Sequence, residues 1–528
     1  MNIDSINRND PFQILENLNQ VGVALSSETR LEYLLEMILE SAIEIIHADG
    51  GTLYTLTQEN TLKFSIIRNS SLNIRLGGGG ADPINFPEIP LFKDGKQNTN
   101  AIASYCALTK KTINVEDAYT AEGFDFSGAK AFDEKNSYRT RSVLAVPLVN
   151  HEGKVLGVLQ LINCLNDAGQ PSKFDDFAVK VAESLASQAA ISLQNRLLIN
   201  QLEGLFEGVT NLINTAIDEK SPYTGGHCLR VPELTLMIAD AVDAETDGPL
   251  ADFNMTDKDR YELKIAGMLH DCGKITTPVH VVDKATKLET IVDRISMVES
   301  KAEILRKEAW ITYWKSLAEQ KASEETLKAA LDQRLKQIDD DVSFLRKCNI
   351  GSERMQQEDI ERVKQIGQQS WTDSNHQAQP FLTENEVYNL SIPAGTLTKE
   401  EREIINHHIV ATIKLLEQID WPDHLKNVTE YAGGHHEKMD GTGYPRGLKR
   451  EQMSLQARMM GIADIFEALT ASDRPYKKGM PLSQCISIMQ RMKQEAHIDP
   501  DLFDVFIKHR LHIEYAKKFL KPEQIDMQ

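Results

Sequence analysis

Five short clusters after residue 220 of this 528-residue chain carry residues able to hold metal ions. They are YTGGHCLRV with His227, LHDCGKITTP with His270 and Asp271, NHHIV with His407 and His408, GGHHEKMDGTGYP with His435 and His436, and ADIFEAL with Asp464. Twelve of the fourteen histidines lie after residue 220. Neutral imidazole nitrogens and carboxylate oxygens suit first-row transition ions, and no cysteine cluster competes with them. One such histidine alone reads as a packed or surface residue. Two His-His pairs, a His-Asp pair and an apolar-flanked aspartate, buried without metal, would leave many polar atoms needing partners. Lys274 follows His270 by four residues and Asp271 by three, so on a helix all three share one face. An ammonium beside metal ligands is repelled by the cation unless an anion lies between them, and phosphate suits that place. The Asp271 carboxylate can bridge two ions, which one imidazole nitrogen cannot. Two ions ~3.5–4 Å apart activate water and clamp the oxygens of a phosphodiester.

The elements that must position these residues follow from periodicity. Residues 12–47 read as one helix, with Leu15, Leu18, Val21, Leu25, Leu34, Ile38 and Ile45 near a 3.6 period. GGTLYTLT and LKFSIIRNS alternate as strands around the turn QENT, and SVLAVPLVN and VLGVLQLIN form a second strand pair. Four glycines, Gly77 to Gly80, lack the Lys-Ser/Thr of a phosphate loop and read as a flexible connection. A helix begins near Phe174 and runs without proline to about Ile217. Within it Leu198, Leu202, Leu205, Val209, Leu212 and Ala216 make a heptad seam, which favours a homodimer over a helix packed within its own chain. From 218 to 521 the pattern is helical. The block 284–390 carries two further seams, Ile291, Ile295, Val298, Ala302, Leu305 and Ala309, then Leu327, Leu331, Leu335, Ile338, Val342 and Leu345. With Ser323 as a helix N-cap between them, they predict an antiparallel helical hairpin inserted between the chemical clusters.

Two resemblances add to this reading. FDEKNSYRTRSVLAVPLVN followed by GKVLGVLQLIN resembles the central strands of a GAF domain over residues 15–195. That implies an α/β sensor for a small ligand. Members that bind cyclic nucleotides carry Asn-Lys after the last strand, whereas Asn163 is followed here by Cys164, so the ligand stays unassigned. HDCGK, HHEKMDGTGYP and ADIFEALTASDRPY resemble the HD-GYP branch of the HD superfamily over about 205–281 and 391–521. The resemblance implies cyclic di-GMP hydrolysis by two transition ions, iron or manganese before zinc. His227, His270, Asp271 and Asp464 would hold one ion, and Asp271 would bridge to a second held by His408, His435 and His436. His407 is then a neighbour. Lys274 would contact a phosphate, Tyr444 would shape the loop beside the site, and Arg474 and Lys477 would meet the other phosphate. Tyr223 stands where some members place a glutamate for a third metal, so two ions are expected. Glu467-Ala468-Leu469 spells the signature of an unrelated barrel phosphodiesterase, but only 59 residues follow it.

Composition sets outer limits. A net charge of −20 excludes a protein that coats nucleic acid or anionic membrane. No apolar run reaches the ~18–20 residues of a membrane helix. Six scattered cysteines and a polar N-terminus suit a reduced, cytoplasmic chain. The expected architecture is a tail (1–14), an α/β GAF sensor (15–195), a connecting helix (175–217) and an all-α HD domain (218–521) interrupted by a helical-hairpin insertion (284–390). The expected function is GAF-regulated hydrolysis of cyclic di-GMP to pGpG and GMP, with a GGDEF-domain protein as a further partner. A catalytically silent cyclic di-GMP receptor and an enzyme for another cyclic dinucleotide are the alternatives.

Overall fold

Residues 61–69 mix apolar and polar positions, whereas 143–149 and 155–162 run almost wholly apolar because both faces of their strands are covered, and all join one antiparallel sheet. The computed structural model describes residues 11–28, 30–79, 82–220, 226–351, 354–471 and 479–527. It divides into two compact units, Met1–Leu205 and Phe206–Gln528.

In the first unit, β1 (Ala48–Leu56), β2 (Thr61–Asn69), β3 (Ile74–Leu76), β4 (Ile113–Val115), β5 (Val143–Val149) and β6 (Val155–Leu165) pair in the order β3-β2-β1-β6-β5-β4. Leu53 of β1 and Val146 of β5 both face Leu159 of β6. One face buries Leu53, Leu144, Val146, Leu148, Leu159 and Leu161 against helices Leu31–Ile46 and Asp176–Lys220. The other buries Tyr54, Val143, Ala145 and Val158 against helix Ile102–Thr109. The single helix expected over 12–47 is two, Pro11–Ser27 and Leu31–Ile46. Arg30 is extended between them, and its N–H bonds the Glu28 carboxylate at 2.8 Å in place of a helical carbonyl. Helix Asp176–Lys220 runs 45 residues. Its first half buries Ala182, Leu185, Ala189 and Leu193, whereas Leu202, Leu205 and Leu212 on the heptad seam are 65–69% exposed.

The second unit is helical around a core that includes Leu234, Ile238, Leu263, Ile265, Met459, Ile462 and Phe466. Within it the 284–390 block builds a core of its own. Helices Ile295–Ala318 and Glu324–Asn349 form the hairpin, with Ser323 accepting the Thr326 N–H at 3.3 Å as its cap. Val298, Ala302, Leu305, Ile338, Val342 and Leu345 meet there. Ile291 does not join them; it precedes the helix and is 95% exposed. Helices Gln357–Gly367 and Glu384–Leu390 and a small β-hairpin (Ser370–Thr372, Ala378–Pro380) complete the block, adding Val363, Phe381 and Leu390 to its core. Among the described residues no helix is long and apolar enough to cross a membrane.

Candidate metal centre

Helix Asp257–Leu269 carries the chain to His270 and Asp271, and a tight 3₁₀ turn, Cys272–Thr276, follows. Lys274 therefore meets Asp271 through the three-residue repeat of that turn, not along an α-helix, and its ammonium bonds Asp271 Oδ2. Gly273 allows the turn to press on helix Lys399–Leu416: a Cβ there would stand 2.0 Å from the His408 carbonyl oxygen. The Gly273 N–H instead reaches Thr412 Oγ1 at 2.9 Å.

This packing brings the seven expected His and Asp residues together. His227 Nε2 lies 3.3 Å from Asp271 Oδ2 and 3.2 Å from Asp464 Oδ1, and His270 Nε2 lies 3.3 Å from the same Asp271 Oδ2. The other Asp271 oxygen, Oδ1, is 3.3 Å from His408 Nε2, which in turn is 3.2 Å from His436 Nε2. The ligand atoms of His227, His270 and Asp271 fall within 4.8 Å of one another, as do those of His408, His435 and His436. One carboxylate thus belongs to the first group through Oδ2 and meets the second through Oδ1.

The imidazoles are prepared as ligands. His270, His408 and His435 each donate Nδ1–H to the carbonyl three residues earlier, on Gly267, Ile405 and Ala432, at 2.6 Å. Each Nε2 therefore keeps its lone pair, aimed inward. Among the described residues, neither His435 Nε2 nor Asp271 Oδ1 has a hydrogen-bond partner, although both are buried. Lone pairs facing lone pairs and a carboxylate require a cation between them, so the donor set fits a pair of metal ions. Electrostatics differ between the halves. Burial lowers the pKa of His227, but Asp271, Asp464 and Glu467 outweigh it and hold the ring well above the usual imidazole value. Burial and two neighbouring imidazoles hold His435 well below that value, and burial takes His436 down to about 4.

Tyr444 stacks on His436 with ring centroids 4.9 Å apart. Its loop hangs from buried Glu437, which accepts the N–H groups of Arg446 and Leu448 at 2.8 and 2.9 Å. His407 is exposed, whereas His408, about 100° further round the same helix, is buried. Arg474, Lys477 and Tyr223 lie outside the described residues.

A GAF domain model matches residues 30–193, and two HD domain models match 224–341 and 383–502. The chain joins a GAF domain to an HD domain. The two HD matches share the ligands between them, His227, His270 and Asp271 in the first and the rest in the second. The chain is similar to 3'3'-cGAMP-specific phosphodiesterase 3 of Vibrio cholerae, 39% identical over 21% of this chain and 23% of that protein. It is 40% identical to a cyclic di-GMP phosphodiesterase of Pseudomonas aeruginosa over 22% of this chain and 26% of the relative. It therefore spans about a quarter of the length of these curated relatives. The GAF domain of an Acinetobacter phosphoenolpyruvate-protein phosphotransferase aligns with 36% of this chain and 97% of its own length, at 17% identity and a TM-score of 0.26.

Within the HD domain, Glu467, which motif reading set aside, backs the candidate ligand His227. One of its oxygens accepts His227 Nδ1–H, and the other accepts Arg230 Nε and Nη2 at 2.7 and 2.6 Å. The signal was available: Glu467 follows Asp464 by three residues on helix Leu455–Thr470, on the same face as a ligand.

Proposed function

We propose that the HD domain is a metal-dependent phosphodiesterase that hydrolyses a cyclic dinucleotide, cyclic di-GMP first, to linear pGpG with GMP as the further product. The observation that carries this is Asp271, whose Oδ2 stands with His227 and His270 and whose Oδ1 faces His408 of the second histidine group. On this reading His227, His270, Asp271 and Asp464 hold one ion, and His408, His435 and His436 with Asp271 hold the other. Iron and manganese fit the N/O donors ahead of zinc. When bound, the ions supply Lewis acidity toward the phosphoryl group and the attacking water. The chain's own residues do the rest. Lys274, with a side chain 20% exposed, turns its ammonium from Asp271 toward an incoming phosphate. Tyr444 walls the second half of the site, and Arg474 and Lys477 meet the other phosphate. The printed names of the curated relatives support a cyclic dinucleotide as substrate. The exposed seam on helix Asp176–Lys220 supports a homodimer through which a GAF ligand, or a bound GGDEF-domain protein, adjusts the enzyme.

A second reading shares the site but takes 3'3'-cGAMP, favoured by the likeness to two Vibrio cholerae enzymes named for it. Purified protein loaded with Mn(II) and given each dinucleotide, with products read by chromatography, separates them. Cyclic di-GMP hydrolysis that vanishes in His435→Ala supports the first reading, and faster cGAMP turnover supports the second. Tight binding of cyclic di-GMP without any hydrolysis by the loaded protein would make it a silent receptor and sink both.

A further inference from the structure

Segment 271–284, which begins at the bridging aspartate, is tied to helix Lys399–Leu416 at two points. The first is the Gly273 N–H on Thr412. The second is Lys284, whose side chain is wholly buried. Its ammonium reaches both oxygens of Glu401, at 2.9 and 2.7 Å, and Asn389 Oδ1 at 3.0 Å. Three acceptors match its three protons. The backbone adds a further bond, Thr396 Oγ1 to the Lys284 carbonyl at 2.9 Å.

Glu401, His408 and Thr412 are spaced by seven and four residues, so they share one face of the helix, with His408 between the two ties. The ties stand ~16 Å apart along the helix at 1.5 Å per residue. Together they set how far Asp271 stands from His408, the 3.3 Å contact that joins the two halves of the metal centre. Glu401 also fixes the start of that helix, because its Oε2 accepts the N–H of the N-cap Thr398 at 2.8 Å. Asn389 and Lys284 stand at the two ends of the 284–390 block. The block therefore closes on the same ammonium that holds the helix.

We propose that Lys284 is a positioning residue that holds His408 against Asp271, and that through Asn389 it couples the 284–390 block to the second half of the metal centre. This rests on the two-ion reading above. A block attached only as a solvent-facing insertion would have no need of a buried cation shared with the ligand helix.

The test is Mn(II) titration of metal-free protein, with free ion read by electron paramagnetic resonance and folding checked by circular dichroism. Three variants are compared with the parent: Lys284→Met, Glu401→Gln and the double variant. Gln at 401 keeps an acceptor for the Thr398 N–H. The double variant leaves no unpaired buried charge, so it decides the matter if Lys284→Met does not fold. The expected result is first-ion affinity within twofold of the parent and second-ion affinity at least tenfold weaker in each folded variant. A second ion bound as tightly as in the parent overturns the proposal. So does equal weakening of both ions, which marks general loss of structure. Failure of the parent itself to take a second ion at saturating Mn(II) sinks the two-ion reading instead, and is told apart because it needs no variant.

Discussion

Glu467→Ala removes a carboxylate that is 2% exposed and is shared by a ligand histidine and an arginine. A hydrogen bond to a charged group contributes ~1.5–3 kcal/mol, and an orphaned buried donor adds the cost of its lost solvation. The Arg230 side chain is 21% exposed and regains water, whereas His227 at 11% does so poorly. The metal-free protein should therefore lose about 2–4 kcal/mol of stability in urea unfolding. The larger consequence falls on the first ion. Glu467 holds the Nδ1 proton of His227 and so leaves the Nε2 lone pair facing the side where Asp271 and Asp464 stand, free for a metal ion. Removing such a partner weakens metal binding ~10–100-fold. Glu467→Gln should fall between, because an amide that accepts from His227 turns its NH₂ toward the Arg230 guanidinium. Mn(II) titration reads this directly. First-ion affinity unchanged in Glu467→Ala, with stability within ~0.5 kcal/mol of the parent, would refute the reasoning.

Lys274→Ala should keep both ions yet lower kcat/KM by ~10²-fold or more; unchanged kinetics would make Lys274 only a counter-ion for Asp271. Leu205→Glu should shift the protein toward monomer in sedimentation, since it forces carboxylates together on the seam; an unchanged oligomer would place the contact elsewhere. Stability of the metal-free protein should fall between pH ~6.5 and 4. The His436 pKa is about 4 in the fold, chiefly through burial, so only the unfolded chain takes that proton in this window, at a cost of up to ~3 kcal/mol. His227, held above the usual value, contributes stability that is constant below ~6.5, so it does not mask the trend. Urea midpoints that match or rise from pH ~6 to pH ~4.5, inside that window, would contradict this.

The ligand set was legible because residue type alone marks it: paired histidines and HD stand out whatever the fold does with them. Lys274 was legible by spacing, although the turn that delivers it is 3₁₀ and not α. Spacing put Glu467 on the face of Asp464, but its bond to His227 was not legible, because that partner lies 240 residues away and only the packing of two helices brings them together. Periodicity found both long helices of the 284–390 block. It could not tell that Val363, Phe381 and Leu390 from later short elements would finish their core, nor that Ile291 would fall outside it. The break at Arg30 rests on one local competition, a side-chain carboxylate displacing a helical carbonyl, and the apolar spacing runs on through it unchanged.

The uneven charge of the two triads has a consequence for how this protein meets its surroundings. The His227 side offers Asp464 and its share of Asp271, with Glu467 behind, whereas the His408 side offers three imidazoles and only the remaining oxygen of Asp271. On the proposed reading the first side fills at low free metal and the second only when the ion is plentiful. On that reading turnover would follow the supply of the scarcer occupant, so hydrolysis would report free metal ion as well as any ligand of the GAF domain.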